Sequence, residues 1–316
     1  MKHMATIHAS APGKVIISGE HSVVYGYPAL VTSVDLYANV KVSNSISKSE
    51  FYPISAKDIL KRTLQNYEML TGVKLPQLKL NLISDIPQGC GMGSSAAVSV
   101  ASVAAFSSLQ NKGKLNKNII SKVSYESEKY YHGNPSGVDI AISMNGGILW
   151  YRKESENLKL LSKINVVNKL DNLVLINSGQ AKESTSEMVR SVATLYSRFP
   201  EKIDAIFKNI EKVTRGLLKN VTQNESIPLS ELLKDNQRLL EILNLVSPAT
   251  TEIVKEIEKI GGAAKISGAG GKKGKSGILL AYHPDKEKLL AYTKKKNLDV
   301  IDVRMGVRGV KIEKND

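Results

Sequence analysis

One segment constrains the fold of this chain more than any other: a glycine-rich loop between a strand and a helix. Residues Leu78–Ile83 read Leu-Lys-Leu-Asn-Leu-Ile, a pattern that predicts a half-buried strand. Residues Ser94–Leu109 are rich in alanine, serine and valine and contain no helix breaker, which predicts a tightly packed central helix. Between them, glycines stand at positions 89, 91 and 93 and allow the backbone to turn sharply.

This arrangement favours phosphate binding. Successive backbone N–H groups of such a loop can point inward at an anion, and the helix adds its free N-terminal N–H groups and the positive end of its dipole. Ser94 and Ser95 can cap the helix, bind a phosphate oxygen or ligate Mg²⁺. A plain tight turn is the alternative. The segment lacks the Gly-Lys-Ser/Thr ending of a Walker A loop, the glycine spacing of a dinucleotide fingerprint and the protein-kinase signatures.

A second segment places ionisable side chains beside turn residues. Ala11-Pro12-Gly13 predicts a turn between two short strands, of which the second begins at Lys14. A lysine at that position can point into a cleft, and Glu20 and His21 follow shortly after it. Taken singly, a lysine or a glutamate is more typical of a solvated surface charge, and a histidine is more typical of a structural residue.

A third segment contains two carboxylates separated by a glycine- and proline-bearing loop. Glu128 lies near the end of a helix predicted at Lys117–Tyr131, and Asp139 follows the loop His132–Val138. Both can face one site, where one binds Mg²⁺ and the other lies next to a substrate hydroxyl. A surface glutamate and a turn-capping aspartate are the alternative. A further glycine cluster, Ser267–Gly271, follows a predicted strand and can approach a triphosphate or a substrate.

Strands dominate the first half of the chain and helices much of the second, which predicts an α+β fold. The polar, poorly periodic tract Arg152–Asp171 is the predicted boundary between two domains, residues 4–165 and 172–316. Four helices are predicted after it, and their ranges are Glu183–Arg198, Lys202–Lys219, Ser230–Leu245 and Thr250–Ile260.

Composition excludes several classes of protein. Apolar residues make up 42% of the chain, enough to bury a core, which excludes disorder as the main state. The single cysteine, Cys90, excludes an intramolecular disulfide, and no apolar run is long enough for a membrane span, so we expect a cytoplasmic protein without a membrane partner. The net charge of +14 attracts anions without choosing among them. The sequence does not set the oligomeric state, and a homodimer is compatible with it.

Together these segments resemble the three signature motifs of the GHMP kinases, which phosphorylate small molecules. The matching segments are Ala11–Lys14 with Gly19–His21, Pro87–Ala97 (PQGCGMGSSAA) and Lys265–Gly271 (KISGAGG). Two more, Gly19–Gly26 (GEHSVVYG) and His132–Asp139 (HGNPSGVD), resemble the members of the family that act on mevalonate. The motifs extend from residue 11 to residue 271 in the order of the family, so the resemblance covers nearly the whole chain.

The resemblance implies a two-domain α+β GHMP kinase fold. Its N-terminal domain is similar to domain 2 of ribosomal protein S5, its C-terminal domain is ferredoxin-like, and ATP and substrate meet in the cleft between them. The implied reaction is the Mg²⁺-dependent transfer of a phosphoryl group from ATP to the 5-hydroxyl of (R)-mevalonate, giving 5-phosphomevalonate for isoprenoid biosynthesis.

The resemblance also implies residue roles. Asp139 matches the aspartate that takes the proton from the substrate hydroxyl, and Lys14 matches the lysine beside it that stabilises charge on the transferred phosphoryl group. Ser94 and Glu128 match the Mg²⁺ ligands. Residues that match the ATP phosphate loop are Pro87, Gln88, Gly89, Cys90, Gly91, Met92, Gly93, Ser94, Ser95, Ala96 and Ala97; those that match the substrate pocket are Lys14, Glu20, His21, Asp139, Gly268 and Ala269; and Ser184 and Thr185 resemble a pair near the site in relatives.

Two other functions stay open at this point. Another small-molecule kinase of the same family, such as one for phosphomevalonate, has the same motifs. An RNA-binding protein fits the basic charge and the ribosomal-like domain, although 5% aromatic residues argue against a base-stacking surface, so no nucleic-acid partner is expected. One departure from the family follows Gly271, where Lys272, Lys273 and Lys275 form either a mobile positive flap or a solvated loop tip.

Overall fold

The structure is a computed structural model of the chain. It describes residues 6–111, 113–133, 135–156, 158–166, 170, 172–223 and 227–314, without the side chains of residues 131 and 132. The predicted domain ends Met4 and Asp316, as well as Asn134 and Asp171, lie outside the described residues.

The first sheet contains the strands of the first half of the chain and one strand from its end. These strands are β1 (Ile7–Ser18), β2 (Ala29–Asn44), β3 (Glu50–Tyr52), β4 (Leu78–Ser84), β5 (Ile148–Lys153), β6 (Lys159–Ile164) and β11 (Lys311–Ile312). Their order is β11-β1-β2-β4-β3, and β5 pairs with β2 and with β6. The helices that pack with this sheet are α1 (Lys57–Thr71), α2 (Ser94–Gln110), α3 (Lys117–His132) and α4 (Val138–Asn145).

Helix α2 is the centre of this layer, as its composition predicts. It is buried on all sides and packs on β1 and β2 as well as on α1, α3 and α4. Small side chains allow neighbouring elements to approach its backbone closely from every direction. The N-terminus of α2 is thereby held in a fixed position against the sheet.

The predicted turn at Ala11-Pro12-Gly13 is wrong, because these residues lie inside the continuous strand β1. The register of β1 against β2 shifts between Pro12 and Gly13, which is a β-bulge. Proline has no N–H to give to a sheet, and a bulge accommodates it without breaking the strand. Just after the bulge, the backbone N–H of Lys14 donates to Met92 O at 3.0 Å, so β1 runs directly against the glycine loop.

The second sheet is ferredoxin-like, as the family resemblance implies. Its strands are β7 (Leu173–Asn177), β8 (Ala263–Ser267), β9 (Ile278–Tyr282) and β10 (Asp299–Ile301), and its helices are α5 (Thr185–Arg198), α6 (Pro200–Thr222), α7 (Leu229–Ile242), α8 (Pro248–Lys259) and α9 (Lys286–Lys295). The antiparallel order β10-β7-β9-β8 belongs to the split β-α-β motif. The four predicted helices α5–α8 are confirmed, with ends shifted by a few residues.

The described part of the tract 152–171 contains β6, which pairs with β5 in a hairpin. Its side chains are mostly exposed, which explains why no periodicity indicated a strand. After the second sheet, the chain returns to the first sheet, where strand β11 pairs with β1. The C-terminal segment 172–316 therefore contributes one strand to the first sheet, and the division into domains 4–165 and 172–316 stays a prediction. Of the described residues, none forms a helix that is both long and apolar enough to cross a bilayer.

Candidate active site

A lysine and an aspartate from distant parts of the chain form the centre of the site. Lys14 Nζ lies 3.3 Å from Asp139 Oδ1, and the side chains are 4% and 29% exposed. Asp139 is in the first turn of α4, a helix that the sequence reasoning missed, behind the left-handed N-cap Gly137. A carboxylate in the first helical turn is stabilised by the helix dipole. The pair therefore joins a buried cation to a carboxylate that solvent or substrate can reach.

Gly93 brings the start of α2 against this pair. Its φ of 72° is in the left-handed region, and it is the N-cap of α2. A Cβ at this position would lie 2.9 Å from Lys14 Cγ and 3.6 Å from Asp139 Oδ2. Only glycine fits here without displacing Lys14, so the N-terminal N–H groups of α2 meet the lysine and the aspartate in one place.

Two glycine loops touch where the two sheets meet. A Cβ on Gly91 would lie 3.0 Å from Ser267 O, and one on Gly268 would lie 3.0 Å from Gly91 O. Both residues have positive φ angles, of 80° and 100°. The predicted phosphate loop and the segment Lys265–Gly271 are thus in backbone contact, which closes one side of the cleft.

A cavity of about 380 Å³ lies between these loops, within the size range of small-molecule sites. Most of the predicted residues line it, namely Lys14, His21, Pro87, Gln88, Gly89, Gly91, Met92, Gly93, Ser94, Ser95, Glu128, Asp139, Gly268 and Ala269. The sequence reasoning missed several apolar residues that line it, among them Ala56, Ile59, Leu82 and Val98. Apolar residues of this kind carry no motif, because in sequence they look like ordinary core positions.

Three residues of the predicted phosphate loop do not line this cavity. Ala96 and Ala97 are fully buried in α2, and Ala97 N–H donates to Gly93 O inside the helix. Cys90 lines a neighbouring cavity and is 7% exposed. Burial raises the pKa of the Cys90 thiol, so the interpretation of Cys90 as a small loop side chain fits better than a reactive thiolate.

Glu20 is not among the residues that line the cavity, and its predicted place in the substrate pocket stays a prediction. Its carboxylate is fully buried and pairs with the ammonium group of Lys265, which also donates to Ile266 O at 2.7 Å. Burial raises the pKa of Glu20, and the positive charge of Lys265 opposes that shift. A buried carboxylate needs such a partner, and here the ion pair joins the β1 end to strand β8 of the other sheet.

His21 does reach the cavity, in an unusual backbone conformation. Its φ is 58°, and its Nε2 donates to Ala269 O at 3.0 Å. Burial lowers the pKa of His21 to about 4, so the imidazole is neutral near pH 7. Nearby, Ile16 N–H donates to Ser267 Oγ at 2.9 Å. These bonds attach the segment 11–21 to the glycine cluster Ser267–Gly271, and both segments contribute residues to the cavity lining.

Ser94 and Glu128 line the same cavity, from α2 and α3. Their oxygens are of the kind that Mg²⁺ prefers. Among the described residues, no three His, Cys, Asp or Glu side chains converge into a site for a resident metal. A metal that arrives with nucleotide phosphates needs only one or two protein ligands, and this pair fits that requirement.

Side chains of Glu183 and Ser191 bind the lysine-rich loop, residues 272–275. The backbone N–H groups of Lys272 and Lys273 donate to Glu183 Oε2 at 3.3 Å each, and Lys272 Nζ donates to Ser191 Oγ. These bonds argue against a mobile flap. Of the predicted pair at the start of α5, Thr185 lines the cavity, whereas Ser184 caps the helix and accepts a bond from Glu187 N–H.

Similarity to known proteins agrees with this geometry. Residues 55–147 match the N-terminal domain of GHMP kinases. The chain is 34% identical to mevalonate kinase from Archaeoglobus fulgidus over 274 residues, which cover 83% of the chain and 89% of the relative. The crystal structure of Methanococcus jannaschii mevalonate kinase superposes with a TM-score of 0.74 at 25% identity, covering 96% and 99% of the two chains. That of L. major mevalonate kinase in complex with R-mevalonate superposes at 0.79 with 22% identity, covering 98% of each chain, which is evidence of the fold alone. The chain belongs to the mevalonate kinases, within the GHMP kinase family.

Proposed function

We propose that this enzyme transfers the γ-phosphoryl group of ATP to the 5-hydroxyl of (R)-mevalonate, which yields 5-phosphomevalonate for isoprenoid biosynthesis. The observation that carries the proposal is the Lys14–Asp139 pair at the N-terminus of α2, inside a cavity of the right size. Kinases of this family use ATP as the phosphoryl donor.

In the proposed reaction, Asp139 accepts the proton of the substrate hydroxyl as the hydroxyl attacks the γ-phosphorus. Lys14 is close enough to Asp139 to form an ion pair with that carboxylate and to offset charge on the transferred phosphoryl group. The glycine loop and the first N–H groups of α2 orient the triphosphate, because phosphoryl transfer depends mainly on positioning and positive charge.

Mg²⁺ belongs to the proposal as the metal of the nucleotide complex. When bound, it neutralises negative charge on the phosphates, and Ser94 and Glu128 are the side chains that would hold it. A cytoplasmic location, a homodimer and the absence of a nucleic-acid partner stay predictions from the sequence.

The lining of the cavity favours an alcohol over a phosphorylated substrate. Among the described residues that line it, Lys14 is the only lysine or arginine, and His21 is neutral near pH 7. Phosphomonoesters are usually held by several cationic side chains. We therefore favour mevalonate over phosphomevalonate.

The test is release of ADP by the purified protein with ATP, Mg²⁺ and a panel of mevalonate, phosphomevalonate, homoserine and galactose. We expect turnover with mevalonate and little with the others. Asp139→Asn keeps the shape of the side chain and removes its charge, so kcat should fall at least about 10²-fold while ATP still binds. Asp235→Asn, on the exposed face of α7, is the matched control. Turnover with another panel member alone would overturn the substrate, and normal turnover by Asp139→Asn would remove Asp139 from the mechanism.

A further inference from the structure

Three buried side chains hold the two backbone carbonyls that precede α4. Tyr125 OH donates to Pro135 O at 3.0 Å, and Lys153 Nζ donates to the same carbonyl at 3.2 Å. Tyr151 OH donates to Ser136 O at 2.6 Å. Tyr125 comes from α3, whereas Tyr151 and Lys153 come from β5. We call these three side chains the carbonyl clamp.

The clamp keeps a donor on Pro135 O in either of two hydrogen-bond arrangements. The hydroxyl of Tyr125 has one proton, and it lies within reach of both Pro135 O and Glu156 Oε1, the latter at 2.9 Å. Lys153 has three protons, and its Nζ reaches Tyr125 OH at 3.3 Å and Glu156 Oε2 at 2.9 Å as well as Pro135 O. If the tyrosine proton turns to Glu156, the lysine still holds the carbonyl.

The clamp also packs closely against Gly137, the N-cap of α4. A Cβ on Gly137 would lie 2.9 Å from Tyr151 OH and 3.3 Å from Tyr125 Cε2. Gly137 has a φ of 85°, so it is the residue that lets the chain turn into the helix at this close distance. The two tyrosines are 8% and 1% exposed, and Lys153 is 7% exposed, so packing holds the clamp in place.

The backbone that the clamp holds leads straight to Asp139. Residues 136–139 line the cavity, whereas Tyr125, Tyr151 and Lys153 do not. The backbone of residues 136–139 therefore links the clamp to the cavity. Two residues after Gly137, Asp139 meets Lys14 at 3.3 Å, a geometry that a shift of the first turn of α4 would change.

We propose that Tyr125, Tyr151 and Lys153 are positioning residues that hold the first turn of α4 and thereby aim the Asp139 carboxylate at the substrate hydroxyl. This inference rests on the proposed function, because it takes Asp139 as the proton acceptor. The alternative is a purely structural role, in which loss of the clamp lowers stability and leaves turnover unchanged.

The test is Tyr151→Phe, which keeps the ring and removes the only donor to Ser136 O among the bonds described. We expect kcat with mevalonate to fall about tenfold with KM for ATP nearly unchanged, since displacement of a catalytic group by a fraction of an ångström has an effect of this order. The matched control is Tyr292→Phe on α9, which also loses a hydroxyl bond, to Glu256 Oε2 at 2.8 Å, but lies outside the cavity. Its kcat should be that of the wild type.

A second arm asks whether the effect passes through Asp139. In an Asp139→Asn background, Tyr151→Phe should cause no further loss of the residual kcat, because residues that act as a unit are not additive. An equal loss in both backgrounds, or an unchanged kcat for Tyr151→Phe, would overturn the inference. Wild-type protein without mevalonate-dependent ADP release would instead overturn the proposed function, and the positioning role with it.

A second variant keeps the test decisive if Tyr151→Phe does not fold. Combining Tyr125→Phe with Lys153→Met removes both donors to Pro135 O and leaves the half-exposed Glu156 in contact with solvent. The same tenfold loss of kcat, absent from the Asp139→Asn background, is expected. Thermal melting of each variant reports folding separately from turnover.

Discussion

Gly93→Ala is the substitution for which the structure makes the sharpest prediction. The added Cβ would lie 2.9 Å from Lys14 Cγ and 3.3 Å from Lys14 Cε, closer than carbon atoms normally approach. Lys14 is 3% exposed, so its stem cannot simply swing into solvent. Either the lysine or the first turn of α2 must move, and both belong to the proposed catalytic geometry.

The size of the effect has two parts. A left-handed φ of 72° costs an alanine about 1–2 kcal/mol of stability, whatever the space around it. Relieving the contact with Lys14 requires a movement of roughly 0.5–1 Å, which is expected to lower turnover by about 10- to 10²-fold. The loss of stability is thus general to left-handed glycines, whereas the loss of turnover is specific to this site.

Gly72→Ala separates the two parts. Gly72 follows α1 with a φ of 69°, almost the same as that of Gly93, and a Cβ there would meet nothing within 4 Å. We expect the two variants to lose similar free energy of unfolding in urea, and only Gly93→Ala to lose kcat in the ADP-release assay with ATP and mevalonate. Wild-type kcat in a folded Gly93→Ala protein would refute the argument that this glycine exists to admit Lys14 and Asp139.

The other predictions concern the metal, a buried histidine and a buried ion pair. Ser94→Ala and Glu128→Gln should each raise the Mg²⁺ concentration needed for half-maximal rate, since each removes an oxygen ligand from a hard cation; an unchanged Mg²⁺ dependence in both would exclude these ligands. Burial lowers the pKa of His21 from the ordinary 6.5 to about 4, so as the pH falls the imidazole is protonated in the unfolded state before it is protonated in the folded state. The free energy of unfolding should therefore drop by about 3 kcal/mol between about pH 6.5 and about pH 4. His21→Asn, which tolerates the left-handed backbone, should flatten that dependence in urea titrations at several pH values, and equal slopes would contradict it. Glu20→Gln should lower the free energy of unfolding by about 3 kcal/mol at pH 7, because it leaves the Lys265 charge buried without a partner, and adding Lys265→Met should restore most of the loss; a double variant as unstable as the single one would argue against the ion pair.

The glycine loop and the helix after it could be predicted because their causes are local. Glycine at positions 89, 91 and 93 makes positive φ angles accessible, and the small side chains of α2 permit burial on every side. Both properties belong to a few consecutive residues, so the sequence alone predicted a glycine loop before a buried helix. The same holds for the amphipathic helices α5–α8, whose apolar spacing is visible in any short window.

Local reasoning failed where a long-range contact overrides a local preference. Pro12 and Gly13 are typical turn residues, yet pairing of β1 with β2 keeps them in a strand, at the expense of a bulge. Helix α4 is short and follows a glycine, and its place is set by neighbours such as Tyr151, whose hydroxyl holds Ser136 O from a strand 15 residues away. Neither outcome is encoded within one window of the chain.

What the sequence by itself determined is the list of candidate groups: a glycine loop before a helix, a lysine, an aspartate, a serine and a glutamate, in an order that identifies a kinase family. What only the tertiary structure decided is which of these groups meet. Lys14 pairs with Asp139 across 125 positions of sequence, whereas Glu20 pairs with Lys265, 245 positions along the chain. The reason is that a buried charged side chain requires an oppositely charged partner close to it. The packing of the two sheets, and not the neighbouring residues in the sequence, decides which side chain that partner is.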